Sequence, residues 1–435
     1  MSATVARAPA AEQSSTEIIA TSNVRWKLVA PTLLVIWIIS MFDKANMSIV
    51  QNNSRFLDDL GLNGQQAKIG LLSTGLFLAY AICAPLWGYL VDAIGARKTA
   101  ALSLLVWAVT CFWAGLAESY NSLLFSRIVL GFGEAALYPF TLALIAQWFA
   151  LKERGRATSF WWIGTMIGPM IMGLVVTFLI VTFGWRYQFH AMALLALFVP
   201  LPMVWFLVRD KPEQHPSVDP TEVALISGGT LQENEAAPGR TRRAENRVWW
   251  RNYRFWLVTV AIGTNSIFYW GWSIWLPTYL RISRGFSFQT SGYLTFVIFG
   301  FAVATILVVG RYSDRIFRRA PLAGIGWICA AALLVASALA PSPLLSVAFS
   351  IAALCAQQVG ISCAEMLMHS VVPETEMGPS QGVRAITAQL IGASSPWLIG
   401  VMVQATGGFA GAFSALAFAI VVSAGCMIKL SREGF

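Results

Sequence analysis

Charged residues are scarce in this sequence. Lys, Arg, Asp and Glu account for 12% of its 435 residues and apolar residues for 57%, whereas a typical soluble protein carries about twice that share of charge. Most of the folded surface therefore cannot face water, which excludes an ordinary soluble domain. The sequence also contains no Walker loop, no zinc-type spacing among its six cysteines and three histidines, and no plausible nucleophile triad. We therefore expect neither an enzyme nor a bound metal or cofactor.

Long stretches without a charged residue predict membrane spans. Crossing a bilayer takes about 20 apolar residues, and only a helix satisfies its own backbone amides in segments of this length. The stretches 320–364 and 385–428 are about twice the spanning length, and each breaks at turn residues, as a helical hairpin does. The sequence thus predicts an all-α membrane protein with twelve transmembrane helices. The other charge-free stretches are 69–91, 99–117, 157–185, 187–208, 255–280 and 285–310, and a first span near 28–50 and a fourth near 122–149, which contain charged residues, complete the twelve.

Basic residues are distributed unevenly over the predicted loops. With twelve spans, both termini and the even-numbered loops share one side, which carries 23 Lys and Arg residues against 5 in the odd-numbered loops. The positive-inside rule then places both termini in the cytoplasm. The net charge of +9 is therefore a topology signal of a chain embedded in the lipid bilayer, and we expect no nucleic-acid partner.

Composition divides the chain into five parts. The polar stretch 209–254 contains eight Lys and Arg residues and no apolar run of spanning length, which indicates a cytoplasmic linker between two halves. We expect a disordered cytoplasmic tail over 1–24, a six-helix bundle over 25–208, the linker, a second six-helix bundle over 255–430, and a short cytoplasmic tail over 431–435. We expect the protein to be a monomer.

The two predicted halves repeat one another. Gly88, Asp92 and Arg97 follow the second span, and the same three residue types recur 222 residues later, after the eighth span. Parallel six-helix repeats are typical of the major facilitator fold. An Asp beside basic residues can hold the halves together on the cytoplasmic side in one state; the alternative is a short loop whose charges only set topology. The predicted gate residues are Gly88, Asp92, Arg97, Lys98, Gly310, Asp314, Arg315 and Arg319.

Four ionisable residues fall inside predicted spans of the first half. They are Asp43 and Lys44 in the first span and Arg127 and Glu134 in the fourth. Such residues are costly in lipid and usually face a cavity or a partner. Lys44 or Arg127 could hold an anionic substrate, and Asp43 or Glu134 could take and release a proton. The alternative is a pair of buried structural salt bridges, such as Asp43–Arg127 and Lys44–Glu134.

Polar residues in other spans are weaker candidates. Glu365 and His369 lie four residues apart in the tenth span, which predicts either a proton relay or a locally satisfied pair. Asn265 and Tyr269 share one face of the aromatic seventh span, and Tyr80 lies in the second. Each of these three could bind substrate hydroxyls or simply pack.

At these residues the chain resembles a known group. It is similar, over residues 25–430, to the anion:cation symporter family of the major facilitator superfamily, which includes bacterial sugar-acid and phthalate transporters. The resemblance implies proton-coupled uptake of organic anions, with Asp43 and Glu134 titrating and with Arg127 and Lys44 meeting the substrate. The motifs that carry it are Phe42-Asp43-Lys44-Ala45-Asn46, Gly88 to Asp92 with Gly95-Ala96-Arg97-Lys98, Arg127 to Glu134 with Pro139, Trp148-Phe149 with Glu153-Arg154-Gly155-Arg156-Ala157, Gly184-Trp185-Arg186 and Trp275-Leu276-Pro277-Thr278-Tyr279-Leu280.

The chain departs from that family pattern at several positions. Lys44 stands where members usually have Arg, and the family pattern does not predict Glu365. The eleventh span has Ala385 and Gln389 where members often have Asn, and we expect Gln389 to contact the substrate. Because that span often supplies amides for hydroxyl groups, an aromatic carboxylate is an alternative to a sugar acid.

The sequence therefore predicts a proton:organic-anion symporter of a bacterial inner membrane, working by alternating access. Its partners would be a small organic anion and protons. The short loop 51–68 favours a bacterial protein, because animal relatives commonly have a long insertion there. An anion antiporter or exporter is the alternative within transport, although a basic cavity argues against cationic drugs. A transporter-like receptor is the alternative outside transport, and no long signalling domain supports it.

Overall fold

The computed structural model describes residues 22–235, 248–312, 318–372 and 376–434. Every regular element within these ranges is a helix. Eleven helical segments are long and apolar enough to cross a membrane. The twelfth span is a 30-residue helix whose tryptophans and tyrosines lower its hydropathy. The spans are α1 (Arg25–Val50), α2 (Gln66–Ile94), α3 (Ala96–Gly115), α4 (Tyr120–Trp148), α5 (Leu151–Phe183), α6 (Trp185–Leu207), α7 (Tyr253–Ile282), α8 (Phe288–Tyr312), α9 (Arg319–Leu339), α10 (Pro343–Val371), α11 (Ser380–Thr406) and α12 (Ala410–Arg432).

Short helices occupy two of the connections. Ser54–Asp59 lies between α1 and α2, and Pro220–Glu235 lies in the linker between α6 and α7. Four of the described spans, α4, α5, α6 and α11, also contain brief interruptions. In α4 the helix Tyr120–Glu134 ends and Leu137–Trp148 resumes, so that Glu134 lies at a break in a span.

Each half of the molecule is a bundle of six helices. In the first half, α1 packs on α5, α2 and α3 pack on α4, and α3 packs on α6; in the second, α7 packs on α11 and α12, and α9 packs on α10 and α12. The halves meet where α2 packs on α11, α5 on α8 and α1 on α7. A shift of six helices along the chain converts the α2–α11 pair into α8–α5 and the α5–α8 pair into α11–α2, as a pseudo-repeat requires. The predicted fold class is therefore confirmed.

Hydrogen bonds join the halves at one end of the bundle. We call the end that carries the start of α1 and the finish of α12 the terminal side, and the other end the distal side. On the distal side, Gln51 donates to the carbonyl of Ile274 at 2.7 Å, and Asn52 donates to the hydroxyl of Ser291 at 3.1 Å. Arg281 donates to the backbone carbonyl of Asn52. The distal end of α1 is thus tied to α7 and α8.

One face of α2 shows that the halves separate toward the terminal side. Gly70 and Gly88 are 18 residues apart, which is five helical turns, so both lie on the same face. A Cβ at Gly70 would lie 2.9 Å from the Cα of Trp397 in α11. A Cβ at Gly88 would meet no described atom within 4 Å. The seam between α2 and α11 is therefore closed on the distal side and open on the terminal side.

Candidate functional site

The four charged residues of α1 and α4 come together inside the first half. Arg127 and Glu134 are about two helical turns apart on one face of α4, and α1 presents Asp43 and Lys44 to that face. All four side chains are buried, with at most 2% of each exposed. Two ion pairs form between the helices, Lys44 with Glu134 and Arg127 with Asp43, the latter at 4.0 Å. These are the two pairings that the structural alternative names.

Lys44 faces α2 and the boundary between the halves. Its ammonium donates to the hydroxyl of Ser40 at 2.6 Å and to Oε2 of Glu134, and it lies 4.7 Å from the ring centroid of Tyr80. The Tyr80 ring is half-buried. The second carboxylate oxygen of Glu134, Oε1, has no hydrogen-bond partner among the described residues. Glu134 can therefore receive a proton without displacing a donor.

Asp43 points instead toward α3, at the back of the bundle. Its Oδ2 accepts hydrogen bonds from the indole of Trp107 at 2.9 Å and the thiol of Cys111 at 3.5 Å. Its Oδ1 accepts from the side-chain amide of Asn46. Neutral donors thus occupy both carboxylate oxygens of Asp43.

Arg127 is a buried cation whose hydrogen-bonding capacity is unused. None of its three guanidinium nitrogens has a hydrogen-bond partner among the described residues, although the side chain is fully buried. A buried hydrogen-bond donor that has no acceptor destabilises the folded protein. A guanidinium in this condition has the geometry to bind a carboxylate through two parallel bonds.

Glycines allow the helices to close around this cluster. A Cβ at Gly131 would collide with the backbone of Leu76 in α2, and one at Gly133 would lie 2.8 Å from the side chain of Val106 in α3. Small residues permit such close helix packing in membranes. The two glycines therefore let α2 and α3 pack closely on the part of α4 that carries Arg127 and Glu134.

The second half contributes amides that the sequence analysis did not select. Asn265 is buried and accepts a hydrogen bond at 2.9 Å from Gln357, whose own carbonyl accepts from Gln358 at 2.7 Å. Two adjacent glutamines in the middle of the apolar α10 are the feature of the sequence that indicates these buried amides. Tyr269 donates to the carbonyl of Thr165 in α5 at 3.5 Å. Gln389 is partly exposed on α11.

Glu365 forms an ion pair that the sequence analysis did not predict. Its carboxylate accepts a hydrogen bond at 2.7 Å from Arg384 of α11. Arg384 was overlooked because it was treated as the boundary of the charge-free stretch 385–428, whereas α11 begins before it. The side chain of His369 lies outside the described part of the chain, so the proton relay stays a prediction.

The predicted gate residues are spread over the terminal side. Asp92 and Lys98 are exposed. Arg97 contacts the end of α6, where its backbone N–H donates to Asp210 at 2.8 Å and its guanidinium lies 4.5 Å from the Trp205 ring. Gly310 lies in α8 and the half-buried Arg319 begins α9. Asp314 and Arg315 lie outside the described residues.

The charges of the first-half cluster balance. The two carboxylates and two cations sum to zero when all four are ionised, so a bound anion would leave one negative charge in excess unless a proton entered with it. Among the residues that the structure describes, His, Cys, Asp and Glu do not gather in threes that could hold a metal.

Comparisons with known proteins agree with the fold. The family model described as Major Facilitator Superfamily matches residues 32–396. The chain is 25% identical to the probable L-galactonate transporter of Escherichia coli (strain K12), covering 86% of this chain and 82% of that relative. It is 26% identical to the probable galactarate/D-glucarate transporter GudP of Bacillus subtilis (strain 168), covering 90% and 88%.

The solved structures it resembles have the same architecture. A bacterial homologue of the human lysosomal transporter Spinster, in an inward-facing and occupied conformation, superposes with a TM-score of 0.73. The two share 17% identity, and the match covers 94% of this chain and 98% of that one. At this identity the likeness shows the fold alone.

Proposed function

The chain belongs to the Major Facilitator Superfamily, and we propose that this multi-pass membrane transporter takes up a sugar acid or related organic carboxylate together with protons. It is a transporter and not an enzyme. The relatives named for galactonate and for galactarate or glucarate support a sugar-acid substrate. We place the terminal side in the cytoplasm of a bacterial inner membrane, so that the present conformation opens inward.

The observation that carries the proposal is the neutral cluster of Asp43, Lys44, Arg127 and Glu134. When Glu134 is ionised it holds Lys44, which is then less available to a substrate. Protonation of Glu134 frees Lys44 and leaves the cluster with one positive charge in excess. A monocarboxylate restores neutrality, which limits the desolvation cost of closing the site. Proton and anion therefore favour each other's binding, as linkage requires of a symporter.

Glu134 is the better supported of the two proton-carrying candidates. A proton on its Oε1 displaces no donor, and the charged neighbours that face it are Lys44, Arg127 and Asp43, with the Tyr80 ring close by. A proton on Asp43 would have to displace a hydrogen bond from Trp107 or Asn46. We propose Glu134 as the proton carrier and Asp43 chiefly as the residue that holds Arg127 in place.

We further propose that transport proceeds by alternating access. The distal bonds of Gln51 and Asn52 would break while the face of α2 around Gly88 closes on the second half. Asp92, now exposed, would then find basic partners across the terminal side. Tyr80, Asn265, Tyr269 and Gln389 would contact the uncharged part of the substrate.

An aromatic carboxylate is a second candidate because of the ring contact at the boundary of the halves. Phe77 of α2 lies 4.4 Å, centroid to centroid, from Trp270 of α7. A flat acid could slide between such rings. Competition by benzoate or phthalate against a sugar acid in the uptake assay distinguishes this candidate from the first.

The proposed function is tested with purified protein in proteoliposomes. Labelled D-galactonate should accumulate under an inside-alkaline pH gradient, and accumulation should stop when an ionophore collapses the gradient. A neutral sugar and a cationic drug are the matched controls and should not accumulate. Galactonate that moves only outward in exchange for protons would show an exporter, and binding without any transport would show a receptor.

A further inference from the structure

The second half contains a buried cation that the mechanism above does not use. Arg384 lies one turn inside α11, and 7% of its side chain is exposed. Its Nη1 donates to Glu365 at 2.7 Å and its Nε donates to Gln381 at 2.5 Å. The Glu365 side chain is 29% exposed, so the ion pair has one open edge.

The ion pair faces the first half of the molecule. Tyr138 of α4 lies within electrostatic range of both Arg384 and Glu365. Tyr80 of α2 lies within range of Tyr138 and of Glu134. Two tyrosines thus lead from one ion pair, Lys44–Glu134, to the other, Arg384–Glu365, across the boundary between the halves. The Arg384–Glu365 ion pair therefore lies close to the boundary between the halves.

The two ion pairs share one feature, the helix that supplies the carboxylate. In each, a cation from one span is neutralised by a carboxylate from α4 or from α10, and these two helices are equivalent under the six-helix repeat. A permanently buried ion pair seldom adds stability over apolar packing. Ionisable residues at membrane depth usually mark a substrate or ion path. A competing anion can displace a carboxylate that is held weakly by a cation and bind to that cation instead.

We propose that Arg384 is a second anion-binding residue, and that the preferred substrate carries two acidic groups, one bound from each half. This inference rests on the proposed function, because it assigns the first acidic group to Lys44 and Arg127. The second group displaces Glu365 from Arg384, as the first displaces Glu134 from Lys44. A diacid of suitable length then links the halves when the terminal side closes, which a monoacid cannot do.

The test uses two acids that differ only in the second acidic group. D-Galactonate and galactarate share a six-carbon chain and its secondary hydroxyls, but galactarate has a second carboxylate in place of the terminal hydroxymethyl group. Half-saturation concentrations are measured by counterflow in proteoliposomes, which requires no proton gradient. The wild type should have the lower value for galactarate. Arg384→Gln should raise the galactarate value about tenfold, the scale of one charge-assisted bond, and at least five times more than it raises the galactonate value.

Two further variants separate binding from structure. Arg384→Lys keeps the charge and should recover part of the galactarate affinity. Glu365→Gln removes only the competing carboxylate and should preserve galactarate counterflow. If the ion pair is structural, Arg384→Gln and Glu365→Gln should damage the counterflow of both acids equally, and that result overturns the inference. A wild type that exchanges galactonate but prefers it to galactarate also overturns it. A wild type that exchanges neither acid overturns the proposed function itself.

Discussion

Single side chains decide which of the charges in the first half can meet a substrate. Lys44 donates hydrogen bonds to Ser40 and Glu134, whereas Arg127 is buried with no hydrogen bond among the described residues. The nearest carboxylate oxygen, on Asp43, is 4.0 Å away and already accepts a bond from Asn46. Arg127 is therefore held by electrostatic attraction and not by hydrogen bonds, which leaves its guanidinium N–H groups available to a carboxylate.

The first prediction concerns the guanidinium group of Arg127. Arg127→Lys keeps the charge but cannot bind a carboxylate through two parallel bonds, so galactonate binding should weaken by roughly 1–3 kcal/mol. Isothermal titration in detergent measures the change. The matched control is Arg186→Lys, since Arg186 pairs with Asp59 at 2.5 Å on the surface, where such pairs contribute little. Equal binding by wild type and Arg127→Lys would remove Arg127 from the substrate site.

The sequence identified the four charges of this cluster because buried ionisable residues stand out in apolar spans. It also named the two ion pairs that form, as one of two alternatives. It could not show that Asp43 faces Trp107 and Cys111, because helix periodicity does not tell which neighbour a face meets. The sequence could not show that Arg384 lies inside a span, because a charged residue near a helix end resembles a loop residue in sequence.

Among the helices, α2 carries the face whose packing on α11 the proposed alternating access would change. Gly70 and Gly88 lie on one face, yet only Gly70 touches α11 in this conformation. Gly70→Val would press against Trp397 and should open the distal seam. Gly88→Val fits the present conformation but should obstruct closure of the terminal side, so it should trap the inward-open state.

Cysteine labelling measures both effects. A reporter at Ser291→Cys, in a background without the six native cysteines, lies buried in the distal seam. Its reaction with a membrane-impermeant maleimide should become faster with Gly70→Val and slower with Gly88→Val. Equal labelling of the two glycine variants would show that this face of α2 does not control the conformation.

The linker is tied to the start of α1 by a buried carboxylate. Burial opposes ionisation of Glu222, but hydrogen bonds from the Ser22 hydroxyl, the Val24 N–H and Arg25 outweigh it and hold the pKa of Glu222 below its usual value of 4.5. Because the folded-state pKa is lowered, this contribution is present above pH 4.5 and is lost as the pH falls through the lowered value.

The third prediction follows from that sign. A spin label at Asn23→Cys should be immobile at neutral pH and become mobile on strong acidification. Glu222→Gln should make the label mobile already at neutral pH and remove most of its pH dependence. Label mobility that is the same in both proteins would show that Glu222 does not anchor the start of α1.

The helices themselves were largely predictable, because charge-free stretches and turn residues mark membrane spans. All twelve spans formed, and the halves pair as the repeat requires. The linker helix Pro220–Glu235 was not predicted, since its surroundings are polar and lack an apolar stripe. Which end of the seam is closed could not be predicted either, because one sequence must support both conformations.

At the scale of the whole molecule, the proposed alternating access requires the two halves to adopt two arrangements. Asp92 is exposed here, where the terminal side is open. If it pairs with basic residues only when that side closes, Asp92→Asn should favour the present state. The Ser291→Cys reporter should then label more slowly than in the wild-type background. Unchanged labelling would reduce Asp92 to a topology signal.

The central claim, that Glu134 couples the proton to the anion, is tested most directly by comparing two activities of one variant. Glu134→Gln imitates the protonated carboxyl permanently, so in proteoliposomes it should still exchange D-galactonate by counterflow but should not accumulate it under an inside-alkaline pH gradient. Gradient-driven accumulation equal to that of the wild type would contradict the account, and loss of both activities would show that Lys44–Glu134 is only a structural salt bridge.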